Sequence, residues 1–211
     1  MTPLSPTLSR QGRRQSKTTA AVKILVRGYA WVKNGVWFAS PNTTLIKDQG
    51  YLVIVDPGAN APRLLSALKK EGLKPKDIDI VFLTHYHLDH ILNIRLFPDH
   101  DIHDGNTINR GDKIIEYKKV IPATGIQVIS TPGHAFEHCS LLVQTKKGKI
   151  AIAGDVFWWA DKDKQKLDYQ SLVNRRDPYA KDWQQLKASR KRLLALADYI
   201  IPGHGKMFRV Q

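Results

Sequence analysis

The stretch that decides the fold is Asp79-Ile80-Val81-Phe82-Leu83-Thr84-His85-Tyr86-His87-Leu88-Asp89-His90. It opens as a short apolar run of the kind that forms a buried strand, then releases four possible metal ligands within the six residues from His85 to His90. Alternate positions of an extended chain share a face, so His85 and His87 aim the same way. Asp89 and His90, at the start of the next turn, can curl back toward them. Imidazole nitrogens and a carboxylate oxygen suit zinc, with bonds of roughly 2.0–2.2 Å.

Three further segments end a strand in the same manner. Thr131-Pro132-Gly133-His134 follows the apolar run 126–130, Gly154-Asp155 follows 149–153, and Pro202-Gly203-His204-Gly205 follows 198–201. A glycine there lets the backbone turn sharply and leaves its neighbour projecting from the strand end. With the first cluster, these segments place five histidines and two aspartates at strand C-termini, enough to bind two metals. His100, His103 and His138 have no such setting and read as surface or core residues.

The rest of the chain fits around these strands. Runs at 23–32, 44–47 and 51–56 are β-branched and aromatic, broken by Gly35, Pro41-Asn42 and Gln49-Gly50, as in a meander joined by tight turns. Residues 62–71 carry Leu64, Leu65 and Leu68 at helical spacing and stop at Gly72, and 181–197 is the longest helical stretch. A second strand group occupies 126–130, 140–144, 149–153 and 199–201. Two strand groups, each followed by helix, predict two sheets packed face to face with helices outside. No change of composition marks a linker, so residues 21–211 are expected to form one domain.

Composition narrows the function. At 42% apolar and 25% charged the chain is an ordinary globular protein, and no run approaches the ~18 apolar residues of a membrane-spanning helix. Cys139 is the only cysteine, which excludes an internal disulfide and fits a reducing, cytoplasmic setting. The 33 Lys+Arg against 19 Asp+Glu give a formal charge of +14. Residues 1–20, with Arg10, Arg13, Arg14, Lys17 and no acid, read as a disordered basic tail without the apolar run of a secretory signal. They contribute +4 and residues 161–211 contribute +6 (12 basic, 6 acidic), so ten of the fourteen charges lie at the two ends.

The segments His85-x-His87-x-Asp89-His90, His134, Asp155 and His204, in this order, resemble the metallo-β-lactamase fold hydrolases over nearly all of residues 23–210. The resemblance implies an α/β protein (α+β) built as an αββα four-layer sandwich. It implies a dinuclear centre with His85, His87 and His134 on one metal, Asp89, His90 and His204 on the other, and Asp155 bridging. Asp56, in Asp56-Pro57-Gly58, matches a family aspartate that supports the ligands and would fix the tautomer of a metal-bound imidazole. Two zinc ions are expected, with iron or manganese as alternatives. A hydroxide shared between them would attack the substrate, and Asp89 would orient it and carry a proton to the leaving group.

The substrate is less constrained, because this fold hosts many hydrolases. Asp155 stands where the commonest secreted β-lactamases carry a cysteine, which argues against a resistance role. Segments such as Ser189-Arg190-Lys191-Arg192 and Phe208-Arg209-Val210 resemble a small subgroup of the family and imply a nuclease acting on RNA or single-stranded DNA. Hydrolysis of a small thioester, lactone or β-lactam is the alternative. Phe157-Trp158-Trp159, taken as a loop, would stack bases or line an apolar pocket, and Lys187 and Lys191 are the phosphate contacts. Lys162, Lys164 and Lys166, interleaved with acids, read as a solvated face. Arg190 falls among Trp183, Leu186 and Leu193 on a helical wheel and should pair with a buried carboxylate.

Overall fold

The computed structural model describes residues 19–211, so all but the last two residues of the expected basic tail lie outside the described residues. The chain begins with β1 (Ala21–Val26), a hairpin of β2 (Tyr29–Lys33) and β3 (Val36–Ser40), then β4 (Thr43–Asp48) and β5 (Tyr51–Val55). Helix α1 (Ala61–Lys70) leads to β6 (Ile80–Phe82), the short α2 (Leu88–Ile91), and the strands β7 (Ile102–His103), β8 (Thr107–Arg110) and β9 (Lys113–Glu116). The second half holds β10 (Gln127–Ser130), β11 (Cys139–Thr145), β12 (Gly148–Trp158), α3 (Tyr169–Asn174), α4 (Trp183–Leu196), β13 (Tyr199–His204) and β14 (Phe208–Arg209).

Two large sheets result, of order β1-β4-β5-β6-β7-β8-β9 and β10-β11-β12-β13-β14. Their inner faces meet in one apolar core. Ile46, Val53, Val55, Ile80 and Phe82 of the first sheet pack with Val128, Leu141, Val143, Ile150 and Ile201 of the second. Neighbouring positions point outward and are covered by helices: Leu45, Ile54 and Val81 by Leu64 and Leu68 of α1, and Ala151, Ala153 and Ile200 by Leu186 and Leu193 of α4. This period-two alternation in strands buried on both faces is what makes the αββα sandwich. The pairs β5–β6, β6–β7 and β12–β13 are parallel. Their C-terminal ends therefore open at one edge, where functional side chains gather.

Several local expectations differ from the structure. The run 23–32 is two strands in different sheets, because Gly28 lies against the backbones of Asn42 and Gly203 and lets the chain leave the first sheet there. Strands β7 to β9 and the hairpin strand β3 carry too little alternation to stand out. β12 continues through Asp155 to Trp158, so Phe157 and Trp158 end a strand, with Trp159 directly after it, where a loop was expected. Among the described residues no helix is long and apolar enough to cross a membrane.

Candidate metal centre

Asp56 follows β5, the His85 segment follows β6, His134 follows β10, Asp155 lies within β12 and His204 ends β13. The structure brings their side chains into two adjoining groups, His85, His87, His134 and Asp155, and Asp89, His90 and His204. In each group the offered ligand atoms lie within 4.8 Å of one another. One Asp155 oxygen lies 3.4 Å from His134 Nε2 and 3.9 Å from His85 Nε2, while the other lies 3.3 Å from His90 Nε2 and 3.7 Å from His204 Nε2. Asp155 thus faces both groups. Asp89 Oδ2 adds contacts of 3.3 Å to His204 and 3.9 Å to His90.

The imidazoles are oriented from behind. His85 Nδ1 meets Thr84 Oγ1 at 3.0 Å, His90 Nδ1 meets Asp56 Oδ2 at 2.9 Å, His134 Nδ1 meets Asp177 Oδ2 at 2.7 Å, and His204 Nδ1 meets the Tyr29 carbonyl at 3.0 Å. Each partner engages Nδ1 and leaves Nε2 facing the carboxylates, the arrangement by which supporting residues prepare histidines for a cation. Asp56 is itself pinned, accepting hydrogen bonds from Thr84 N and Thr84 Oγ1 at 2.8 and 2.7 Å.

Whether a metal pair fits can be read from what is left over. His85 Nε2, His90 Nε2 and Asp155 Oδ1 are buried without any hydrogen-bond partner. Buried polar atoms rarely remain unpaired, and three that gather around the Asp155 carboxylate, with nitrogen and oxygen donors, match the demands of divalent cations.

Electrostatics agree. Burial lowers the pKa of His85 well below the usual histidine range and also lowers that of His87, which keeps both neutral and able to donate. Burial opposes charge on His90 as well, but Asp155 and Asp56 outweigh it and raise its pKa. Asp155 is held well below the carboxylate range because the facing histidines overcome the effect of its burial.

Two residues to which the sequence assigns no role at the site complete the centre. His138, expected at the surface or in the core, lies beneath the site with its ring 4.9 Å from that of His85. Its Nε2 accepts from the Asp155 backbone N–H at 3.1 Å, and its Nδ1 meets Thr131 Oγ1 at 3.0 Å. Asp177 supports His134 across 43 residues of sequence. A histidine three residues from Ala135 and an aspartate between Arg176 and Pro178 carry no motif, so only their position in space identifies them.

Glycines allow the close approach. A Cβ on Gly133 would lie 2.2 Å from Leu186 N, and one on Gly203 would lie 1.8 Å from an Asp155 carboxylate oxygen. The Gly133 carbonyl accepts from Lys181 and Asp182 N–H groups, and Ser189 Oγ donates to the Pro132 carbonyl, so α4 anchors the loop that carries His134.

Above the centre opens a cavity of about 530 Å³. Trp37, Leu88, Leu92, Trp158 and Tyr179 wall it, with His87, Asp89, His134, Asp155 and His204 at its floor, and among the described residues no lysine or arginine lines it. Of the three expected aromatics only Trp158 is there. Phe157 and Trp159 point to the opposite side, into the core under α3 and α4, as strand alternation requires. Lys187 lies over the Trp183 ring at 5.5 Å, and neither it nor Lys191 reaches the cavity.

Arg190 is fully buried but its partners are carbonyls, not the expected carboxylate. Nε donates to Val156 O at 2.9 Å and Nη1 donates to Val173 O and Arg175 O. Burial pushes its pKa down to about 10.

The sandwich and the paired histidine-carboxylate groups at its open edge define a metal-dependent hydrolase. The chain belongs to the metallo-beta-lactamase superfamily, whose model matches residues 36–105. It is similar to metallo-beta-lactamase domain-containing protein 1 of Mus musculus, 37% identical over 171 residues, and of Xenopus laevis, 31% identical over 200 residues. These alignments cover 75% and 90% of this chain, and it spans 61% of the mouse protein and 82% of the frog protein. Solved structures with the same fold include a metallo-beta-lactamase-like protein of Thermotoga maritima, with TM-score 0.69, 21% identity, and 90% and 99% of the two chains covered. Another is AidC, a dizinc quorum-quenching lactonase, with TM-score 0.60, 20% identity, and 80% and 73% covered.

Proposed function

We propose that the chain uses a dinuclear metal centre to hydrolyse a small carbonyl substrate, a lactone, thioester or β-lactam with an apolar group. The observation that carries this reading is the cavity wall, which offers Trp37, Leu88, Leu92 and Trp158 to the substrate and, among the described residues, no lysine or arginine to a phosphodiester backbone. AidC, which shares the fold, is a lactonase.

In this reading His85, His87 and His134 would hold one ion and Asp89, His90 and His204 the other, with Asp155, which faces both groups, available to either. Zinc is the metal favoured by so histidine-rich a set, with iron or manganese as alternatives. When bound, such a pair lowers the pKa of a shared water and polarises the bond under attack. The chain's own residues do the rest. Asp89, held ionised because His204 and His90 outweigh its burial, would orient the attacking water, accept the proton that water gives up on attack, and return it to the leaving atom. Trp37 and Trp158 exclude bulk water and hold the apolar group. A cytoplasmic setting belongs to the same reading, supported by a lone, buried cysteine.

Cleavage of RNA or single-stranded DNA is the second reading, favoured by the excess charge of residues 161–211. A panel of lactone, thioester, β-lactam, RNA and single-stranded DNA, assayed with the wild type, Asp89→Ala and His134→Ala, decides between them. Turnover of an ester-type substrate that is lost in both variants is the expected result. RNA cleavage alone, lost in both variants, would replace the ester reading, and hydrolysis that survives both would remove this centre from the chemistry.

A further inference from the structure

A second cavity, also of about 530 Å³, lies on the helix-facing side of Trp159 and is lined by Lys164, Lys166, Arg175 and Arg176. Four cations around one space repel one another unless an anion sits among them. Only Arg175 is paired, with Asp163 at 2.5 Å. Among the described residues no carboxylate lies within 4.0 Å of Lys164, Lys166 or Arg176, as the ion pairs elsewhere involve Lys23, Arg110 and histidines. Asp168 acts on Lys166 at longer range but is engaged as the N-cap of α3. The lysines that alternate with acids in sequence are thus sorted in space, with two of them turned to one cavity.

Arg175 links this space to the catalytic one. Its Nε donates to the Trp158 carbonyl at 2.8 Å, and its guanidinium carbon lies 5.9 Å from the Trp158 ring and 5.1 Å from the Trp159 ring. Trp158 walls the catalytic cavity and Trp159 walls the basic one.

We propose that this basic cavity binds a phosphate group, carried by the substrate at a distance from the bond that is cut. The phosphate site stands on the cavity alone, and its assignment to an ester-type substrate rests on the function proposed above. One flexible lysine pair and one arginine fork around an open space suit a terminal phosphate or pyrophosphate better than a planar carboxylate.

The test uses the full metal-loaded chain. Binding of inorganic pyrophosphate is measured by calorimetry on the wild type and on Lys164→Gln/Arg176→Gln, both surface side chains without ion-pair partners. Turnover is then compared for butyryl coenzyme A and for the butyryl thioester of N-acetylcysteamine, which lacks phosphate. The double substitution is expected to weaken pyrophosphate at least about tenfold, as loss of charge-assisted hydrogen bonds requires. It should raise KM for the coenzyme A thioester by a similar factor, with kcat and the phosphate-free ester unchanged. Pyrophosphate that does not bind, or that binds the double variant as tightly as the wild type, overturns the proposal, the latter by placing the anion at the metal centre. If neither thioester turns over while the variant still loses pyrophosphate, the phosphate site is supported and its assignment to a thioester substrate fails. Cleavage of a 5′-phosphorylated oligoribonucleotide with the same dependence on Lys164 and Arg176 would support the site and assign its phosphate to nucleic acid.

Discussion

Replacing Asp177 tests how the centre is held. Its Oδ2 lies 2.7 Å from His134 Nδ1, and both side chains are almost wholly inaccessible, at 0% and 1% exposure. With Nδ1–H committed to Asp177, His134 keeps its lone pair on Nε2, which faces Asp155 at 3.4 Å and His87 Nδ1 at 3.0 Å. Asp177→Ala leaves Nδ1–H buried and unpaired, a cost of about 1–3 kcal/mol in the present arrangement. The ring can relieve that cost by moving its proton to Nε2, the atom a metal needs. Loss of such a supporting partner typically lowers metal affinity 10–100-fold, or about 1.4–2.7 kcal/mol.

Asp177→Asn keeps the shape and one acceptor oxygen, so it should retain the tautomer and lose less. Competition for zinc against a chromogenic chelator, followed as affinity and as metal per chain, measures this without reference to any substrate. Asp177 also favours the charge on buried Arg190, so the alanine variant should unfold at lower denaturant, and affinities are compared under conditions where both variants are folded. An alanine variant that binds two metals as tightly as the wild type would refute the argument that Asp177 prepares His134.

Three other outcomes follow from the same geometry. Chelation should lower the melting temperature, because a metal present at 100 times its Kd stabilises the fold by about 2.7 kcal/mol, roughly 5–10 °C at this chain length; an unchanged transition would argue against a bound pair. Gly133→Ala should destabilise by about 3 kcal/mol or more, since its Cβ meets the Leu186 backbone and Gly133 sits at φ +131°; a denaturant midpoint equal to the wild type would show that α4 can retreat. His103 is buried, and burial, ahead of the opposing Asp101 and Asp104, depresses its pKa from 6.5 to about 4. The unfolded chain therefore takes up this proton first as pH falls, so stability is retained above about pH 6.5 and lost between there and pH 4. At ~1.36 kcal/mol per pKa unit the loss approaches about 3 kcal/mol. His103→Phe should remove that part of the slope in urea titrations from pH 7 to pH 4, and an identical slope in the variant would acquit His103.

How much of this was legible in the sequence differs residue by residue. His85, His87, Asp89 and His90 are adjacent in sequence and follow a strand, so local geometry alone groups them. His134, Asp155 and His204 were marked by strand ends and glycines, and the superfamily pattern supplied their order. His138 and Asp177 bear no mark, because they act through single hydrogen bonds to residues 17 and 43 positions away. Arg190 was rightly placed inside, but its partners are carbonyls that no helical wheel shows. Phe157 and Trp159 were misplaced because a glycine-aspartate pair suggested a turn where β12 in fact continues.

The class of this protein is readable from its amino-acid sequence. Strand period, strand-end glycines and ligand types are local properties, and together they are sufficient for two packed sheets carrying a metal site, to which the resemblance to the superfamily adds the αββα form and hydrolysis. Which surfaces surround the centre depends on how the strands and helices pack. The net charge of +14 is a sum over residues, whereas the cavity over the metals is a selection from distant ones, and that selection is aromatic and aliphatic. The cations of residues 164–176 gather on the other side of Trp158 and Trp159, because consecutive side chains of a strand face opposite ways. That separation depends on strand register and packing, which composition does not encode.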